Sequence, residues 1–419
     1  MTMPEQKKAV VPRLRFPEFR DAGPWEVKQL GDESIAKFIR DTAPRSDLHP
    51  ETYVSTENML PDFGGITQAS SLPASGTIKQ YRRQDILIAN IRPYLKKVWQ
   101  ADRNGTASND VIVVRPSSDI CPRYLGILLA SDTFISYVMA GAKGLKMPRG
   151  DIALIKQYPV GLPTKIAEQQ KIADCLSSLD ELIELQAKKL EALQAHKKGL
   201  MQQLFPREGE TTPRLRFSEF RDAGPWEIRT IEDVAEKIAQ GGTPDTTVPE
   251  FWNGEIPWIT PAEMGDDALH HYTKQTVRAL STIGLQNSSA EILPAYSVIV
   301  SSRAPIGYVT INTVPIATNQ GCKGIVPKQQ IYHEFLYYSL LRAKRQLNDL
   351  GAGAGFKEIS ASSLKKLKIL MPERAEQQKI ADCLSSLDEL IELQAKQLEA
   401  LQAHKKGLMQ QLFPQEIDL

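Results

Sequence analysis

Two clusters of cationic, amide and aromatic residues carry whatever chemistry this sequence performs. The first is the loop Asn90-Ile91-Arg92-Pro93-Tyr94-Leu95-Lys96-Lys97-Val98-Trp99, joined later by Lys143-Gly144-Leu145-Lys146-Met147-Pro148-Arg149-Gly150. The second comprises Gly241-Gly242-Thr243-Pro244, Arg303-Ala304-Pro305-Ile306-Gly307 and Ala317-Thr318-Asn319-Gln320-Gly321-Cys322-Lys323. Lysine and arginine neutralise phosphates, and amide side chains match adenine edges as arginine matches guanine. Glycine two residues before lysine, at Gly144 and Lys146 and again at Gly355 and Lys357, frees the backbone beside a cation and suits a phosphate contact. The candidate contacts are Arg92, Tyr94, Lys96, Lys97, Lys146 and Arg149, then Arg303, Asn319, Gln320, Lys323 and Lys357. For these residues taken alone, a solvated basic surface is the competing explanation.

Signatures of catalysis are missing where they are expected. There is no G-x-x-x-x-G-K-[ST] loop. Glycines 351, 353 and 355 follow a helical pattern rather than a first strand, which argues against a dinucleotide fold. Trp252 and Trp258 flank Glu255, but Ile256-Pro257 stands where a metal nuclease needs a lysine. The 4 cysteines form no C-x-x-C pair and the 6 histidines show no zinc spacing, so neither a metal nor a catalytic residue is expected.

The elements that position these clusters are organised by an internal repeat. Residues 167–206 return at 375–414 with one change, Lys189 to Gln397. A shorter box at 13–26 returns at 214–227 with Pro17 replaced by Ser218. Between box and repeat lie two blocks, 28–166 and 228–374, that differ from each other. Packing tolerates many volume-conserving swaps, so identity outside the blocks and difference inside them points to two interchangeable modules on one frame.

The first block holds 18 Lys and Arg against 13 Asp and Glu; the second holds 15 against 14. Apolar runs at 85–89, 111–114 and 297–301 predict buried strands, and 124–140 and 333–350 predict one helix each.

The long repeat predicts a helix whose apolar seam alternates 4 and 3 spacings. The seam residues are Ile172, Leu176, Leu179, Ile183, Leu190 and Leu193, matched by Ile380, Leu384, Leu387, Ile391, Leu398 and Leu401. Gln186 and Lys197, with Gln394 and Lys405, interrupt it and are candidates for setting register. Forty residues at 1.5 Å each make a rod of about 60 Å, which needs a partner, and its own copy is the obvious one. An antiparallel return predicts a pseudo-twofold molecule with a globular head at each end.

The 419 residues, 42% hydrophobic and 24% charged with net charge +1, describe an ordinary globular protein of two to four folding units. No apolar run of about 18 residues exists and residues 1–11 lack a signal-peptide pattern, so a reduced cytoplasm is the expected setting.

The arrangement resembles the specificity subunit of type I restriction-modification systems over essentially the whole chain. The likeness rests on Tyr53-Val54-Ser55-Thr56-Glu57-Asn58-Met59-Leu60, Asn90 to Lys97, Ser108-Asn109-Asp110-Val111, Gly242-Thr243-Pro244, Trp258-Ile259-Thr260-Pro261, Asn319-Gln320-Gly321 and the Glu168-Gln169-Gln170 start of each repeat. The resemblance implies a mixed α/β fold with two target-recognition domains (1–163 and 207–371), two long spacer helices (164–206 and 372–414) forming an antiparallel coiled coil, and a tail at 415–419. It implies a non-catalytic subunit that reads a bipartite, asymmetric double-stranded DNA target. Two modification (adenine methyltransferase) subunits, and motor-nuclease restriction subunits through them, would be its partners. S-adenosylmethionine, ATP and magnesium would belong to those partners, with no cofactor in this chain. A coiled-coil scaffold with two protein- or ligand-binding heads is the alternative reading of the residues.

Overall fold

The computed structural model describes residues 10–144, 146–265, 271–303, 305–351 and 358–414. The chain divides into two compact units, one of Met1–Glu184 with Glu399–Leu419 and the other of Leu185–Leu398. Each unit thus contains one variable block, the start of one long helix (Ile166–Leu204 or Arg374–Leu412) and the end of the other.

In the first unit an antiparallel sheet runs in the order Ala36–Ile39, Val111–Pro116, Ile86–Ala89, Val98–Gln100. Its central strands are apolar over residues 111–114 and Ile86–Ala89 because both faces are covered. Ile86, Ile88, Ile112 and Val114 face one core with the helices, whereas Leu87, Ala89, Val111 and Val113 face a second core. That second core belongs also to the sheet Tyr53–Val54, Gly105–Ser108, Ile78–Tyr81.

The second unit repeats the plan with other residues. Val298–Ser301 lies between Cys322–Pro327 and Val309–Asn312, and the smaller sheet is Arg278–Leu280, Trp252–Ile259, Ala317–Thr318. Each expected single helix is broken in two: Pro122–Leu129 and Asp132–Ala140, then His333–Arg342 and Lys344–Leu350. In the first case Ser131 intervenes in extended conformation, and its hydroxyl caps Phe134 N–H.

The repeated segments form one socket in each unit. Glu168 is fully buried and takes both oxygens to Arg15 of the box, at 2.7 Å each, and accepts Trp25 Nε1 at 3.2 Å. Glu376 takes Arg216 in the same way, at 2.7 Å each. Gln169 accepts the N–H of Cys121, which begins a helix of the variable block, at 2.9 Å, and Gln377 accepts that of Tyr332 at 2.9 Å. The end of the opposite helix closes each socket. Phe413 packs on Tyr124 in the first unit, and Phe205 packs on Phe335 and Trp226 in the second.

The two long helices run antiparallel within each unit. Asp180 pairs with Lys405 in the first; in the second Lys197 pairs with Asp388, and Gln394 donates to Gln186. All twelve seam residues named above are buried or half-buried, whereas Leu182, Leu185, Leu390 and Leu393 are exposed.

Although the repeats are the same, their surroundings differ at one position. Asp180 is half-exposed, but its counterpart Asp388 is buried and also accepts Tyr338 Oη at 2.6 Å. Above it His271 lies between the rings of Tyr272 and Tyr337, with centroids 4.3 and 4.1 Å away. Burial, with Lys197 and His333 nearby, lowers the His271 pKa to about 3, outweighing Asp388 at 3.6 Å, whose oxygens are already engaged. The folded state therefore refuses a proton that the unfolded chain accepts below about pH 6.5, and stability falls with pH through that window. Between pH 7 and pH 5 the wild type should lose about 2 kcal/mol more than His271→Gln, read by chemical denaturation at both pH values. Equal losses would place the titration elsewhere.

Candidate nucleic-acid interface

The loop after the central strand of the first unit is held in a shape that ordinary residues resist. Arg92 and Lys96 flank a short turn, Pro93–Leu95, with φ of 52° and 54°. They face Asp62 and Phe63, with φ of 51° and 59°, through Asp62 N–H to Leu95 O at 3.0 Å and Phe63 N–H to Lys96 O at 2.9 Å. Left-handed backbone at a non-glycine residue costs on the order of 1–2 kcal/mol, and such strain clusters at ligand clamps. The loop also joins the later basic segment, because Arg92 N–H donates to Pro148 O at 2.8 Å and Ile91 bridges Arg149.

The first unit therefore brings Arg92, Tyr94, Lys96, Lys97 and Arg149 into two joined loops, with Lys146 on the second. Arg92, Tyr94, Lys146 and Arg149 are exposed, and Met147 adds an exposed apolar group. The other cations are anchored. Lys96 pairs with Asp132 at 2.8 Å, which raises its pKa, and Lys97 Nζ donates to Thr56 O at 2.7 Å. Arg149 also reaches Asp110 at 3.3 Å.

In the second unit Gly241 lets its loop approach the Asn319 turn, and Gly242 lets it approach Ser289-Ala290. An added Cβ would lie 1.9 Å from Asn319 O at Gly241 and 2.4 Å from Ala290 N at Gly242. Thr243 Oγ1 donates to Gln320 Oε1, Asn319 Oδ1 accepts Gly321 N–H at 2.6 Å, and Asn319 N–H donates to Ile259 O at 2.9 Å. Arg303 is exposed and pairs with Glu358 at 3.0 Å. Lys323 is only 1% exposed and reaches Glu358 at 3.5 Å, so in this conformation it supports the Arg303 pair and offers no surface to a phosphate. Lys357 and Gly355 lie outside the described residues, as do Leu145, Ala304 and the tail at 415–419. Trp252 and Trp258 pack edge to face at 5.0 Å with Arg278 stacked 3.3 Å over Trp252.

The two loop systems occupy the same node of the same architecture. Val54 pairs with Ala107 and Ile259 with Thr318, both in parallel; Ala89 pairs with Val111 and Ser301 with Cys322. Asn90 N–H donates to Asp110 O at 2.8 Å as Ser302 N–H donates to Gly321 O at 2.7 Å. Sequence reasoning named some of these residues but missed Lys79, whose Nζ holds Asn109 O at 3.0 Å and Val111 O at 2.7 Å, and Arg278 with the exposed Val277. Lys79 comes to light through the strand pairing, which sets Ile78–Tyr81 against Gly105–Ser108.

Two equivalent α/β units, each presenting strained or glycine-packed polar loops from one shared frame, define a two-domain protein built on an internal repeat. The type I restriction modification DNA specificity domain family matches residues 23–195 and 224–403, and the chain belongs to that family. It is 40% identical over 180 residues to the MjaIX specificity subunit of Methanocaldococcus jannaschii, covering 42% of this chain and 41% of that one. With the MjaVIII specificity subunit of the same organism it shares 26% over 427 residues, 96% of this chain and 94% of the relative. The HindI specificity subunit of Haemophilus influenzae is 24% identical, with 84% and 90% covered. The chain thus spans less than half the length of one relative and nearly all of two others. The crystal structure of a type I system S subunit from M. genitalium shares the fold at TM-score 0.64, with 14% identity and 98% and 100% of the chains covered. No helix among the described residues is long and apolar enough to cross a membrane.

Proposed function

We propose that this specificity subunit is the non-catalytic reader of a bipartite, asymmetric DNA target, each unit contacting one half. The observation that carries this reading is the pair of unlike loop systems at one equivalent node on a nearly identical frame. A frame repeated with two changes suits two copies of one partner, whereas unlike loops suit two different half-sites. Pseudo-twofold symmetry is supported by the same equivalence of parts, from the Arg15–Glu168 and Arg216–Glu376 clamps to the Gln169 and Gln377 bonds.

The partners proposed are two methyltransferase subunits and, through them, restriction subunits, with S-adenosylmethionine, ATP and magnesium held there. Exposed Leu185, Leu390 and Leu393 of the second unit, and Leu182 of the first, give helical partners an apolar surface. A cytoplasmic setting follows from this role.

Exposed Arg92, Lys146, Arg149 and Arg303 are the proposed backbone contacts, with Tyr94, Asn319 and Gln320 beside them; Lys357 is proposed from its sequence pattern alone. Binding of the full chain to duplex pools of random sequence tests the reading. Two short blocks of preferred bases, separated by a neutral stretch, are expected, and uniform binding to all duplexes would overturn it. Lys146→Ala is expected to weaken binding to every duplex alike and to shallow the salt dependence by about one ion equivalent. An unchanged slope in a salt titration would place Lys146 off the phosphates.

A further inference from the structure

One polar side chain at the shared node makes no hydrogen bond among the described residues. Between the strand-paired residues Ala107 and Val111 stand three residues, and three stand between their counterparts Thr318 and Cys322. The register is therefore closed at both ends, and Asn109 occupies the place of Gln320. Its turn is fixed from several sides. Lys79 Nζ holds the Asn109 carbonyl at 3.0 Å, Arg149 holds the Asp110 carboxylate at 3.3 Å, and Asn90 N–H holds the Asp110 carbonyl at 2.8 Å. The Asn109 side chain is exposed, and no hydrogen bond to it is found among the described residues.

We infer that Asn109 is a base-reading residue, presenting its amide to an adenine edge in the half-site of the first unit; Gln320, at the same place in the second, is half-buried and its Oε1 accepts Thr243 Oγ1. This rests on the DNA-reading function proposed above. A neutral amide gains little from phosphates but carries a donor and an acceptor side by side, matching adenine N6 and N7 in the major groove. Lys79 and Arg149 supply the positive surroundings and hold the turn before DNA arrives, so little freedom remains to be lost on contact. Because the amide is exposed and unengaged, its removal leaves packing untouched.

The test uses the full chain and the random duplex pool, with sequencing of the bound fraction. Asn109→Ala should erase the preference at one or two adjacent positions of one block. It should weaken binding to the enriched duplex roughly 5- to 150-fold while leaving non-specific affinity and salt slope unchanged. Gln320→Ala should act on the other block. Asn109→Asp keeps the shape but loses the donor, and should move the same position away from adenine. If both Asn109 variants retain the wild-type preferences, the assignment fails while the DNA-reading function stands. A uniform loss on all duplexes with a shallower slope would make Asn109 a backbone contact and also overturn it. A wild type that enriches no sequence would remove the DNA-reading function itself.

Discussion

Asp388→Ala should destabilise the second unit by about 3–5 kcal/mol, while the same substitution at its repeat counterpart, Asp180→Ala, should cost the first unit less than about 1 kcal/mol. The residues and their helical neighbours are identical, so propensity and local charge cancel in the comparison. Burial does not cancel. Asp388 is 3% exposed, with Lys197 at 15%, whereas Asp180 and Lys405 are 48% and 25% exposed. Removing Asp388 leaves the Lys197 ammonium against the Tyr338 ring, 5.3 Å from its centroid, and leaves the Tyr338 hydroxyl without its acceptor. Removing Asp180 hands Lys405 back to water. Denaturation followed by tryptophan fluorescence separates the two, because Trp226, Trp252 and Trp258 report on one unit and Trp25 and Trp99 on the other. Equal, small losses would mean that the second block does not seal over Asp388.

Glu168→Ala and Glu376→Ala should each cost about 3–5 kcal/mol, and here the two units should respond alike. Both carboxylates are buried and grip a guanidinium that is itself only 7–8% exposed. Truncation strands that charge, and in the first unit it also frees the Trp25 indole N–H. Most of the cost is the unpaired arginine rather than the net worth of the pair. The double variants Arg15→Met with Glu168→Leu, and Arg216→Met with Glu376→Leu, should therefore recover most of the stability. A double variant as unstable as the single one would show that the clamp itself, and not the stranded charge, holds box to helix. The same denaturation experiment reads both.

The sequence made the frame legible because its signals are local or repeated: the 4 and 3 spacing of the long helices, the continuous apolar strands, the Pro after Phe205. It was silent on the breaks at Ser131 and Ala343, where the apolar pattern of one helix continues into the next. For the interface, residue type picked out Arg92, Tyr94 and Lys146, which are exposed. It also picked out Lys323, whose charge reads as surface although the strand pairing buries it. Glu168 and Gln169 are visible in the sequence only as part of the start of each repeat, because their partners Arg15 and Cys121 lie 153 and 48 residues away. Such roles depend on which distant segments meet, and no spacing encodes them.

Gln169 and Gln377 bind main-chain N–H groups, of Cys121 in one unit and Tyr332 in the other. A bond to the peptide group is blind to the side chain it sits beneath. At that point a newcomer grafted into this frame must begin a helix and offer a ring for Phe413 or Phe205, whatever side chains it brings. Side chains away from the frame are not read by these two bonds, so a lineage can change its loops while the joint to the helix stays the same.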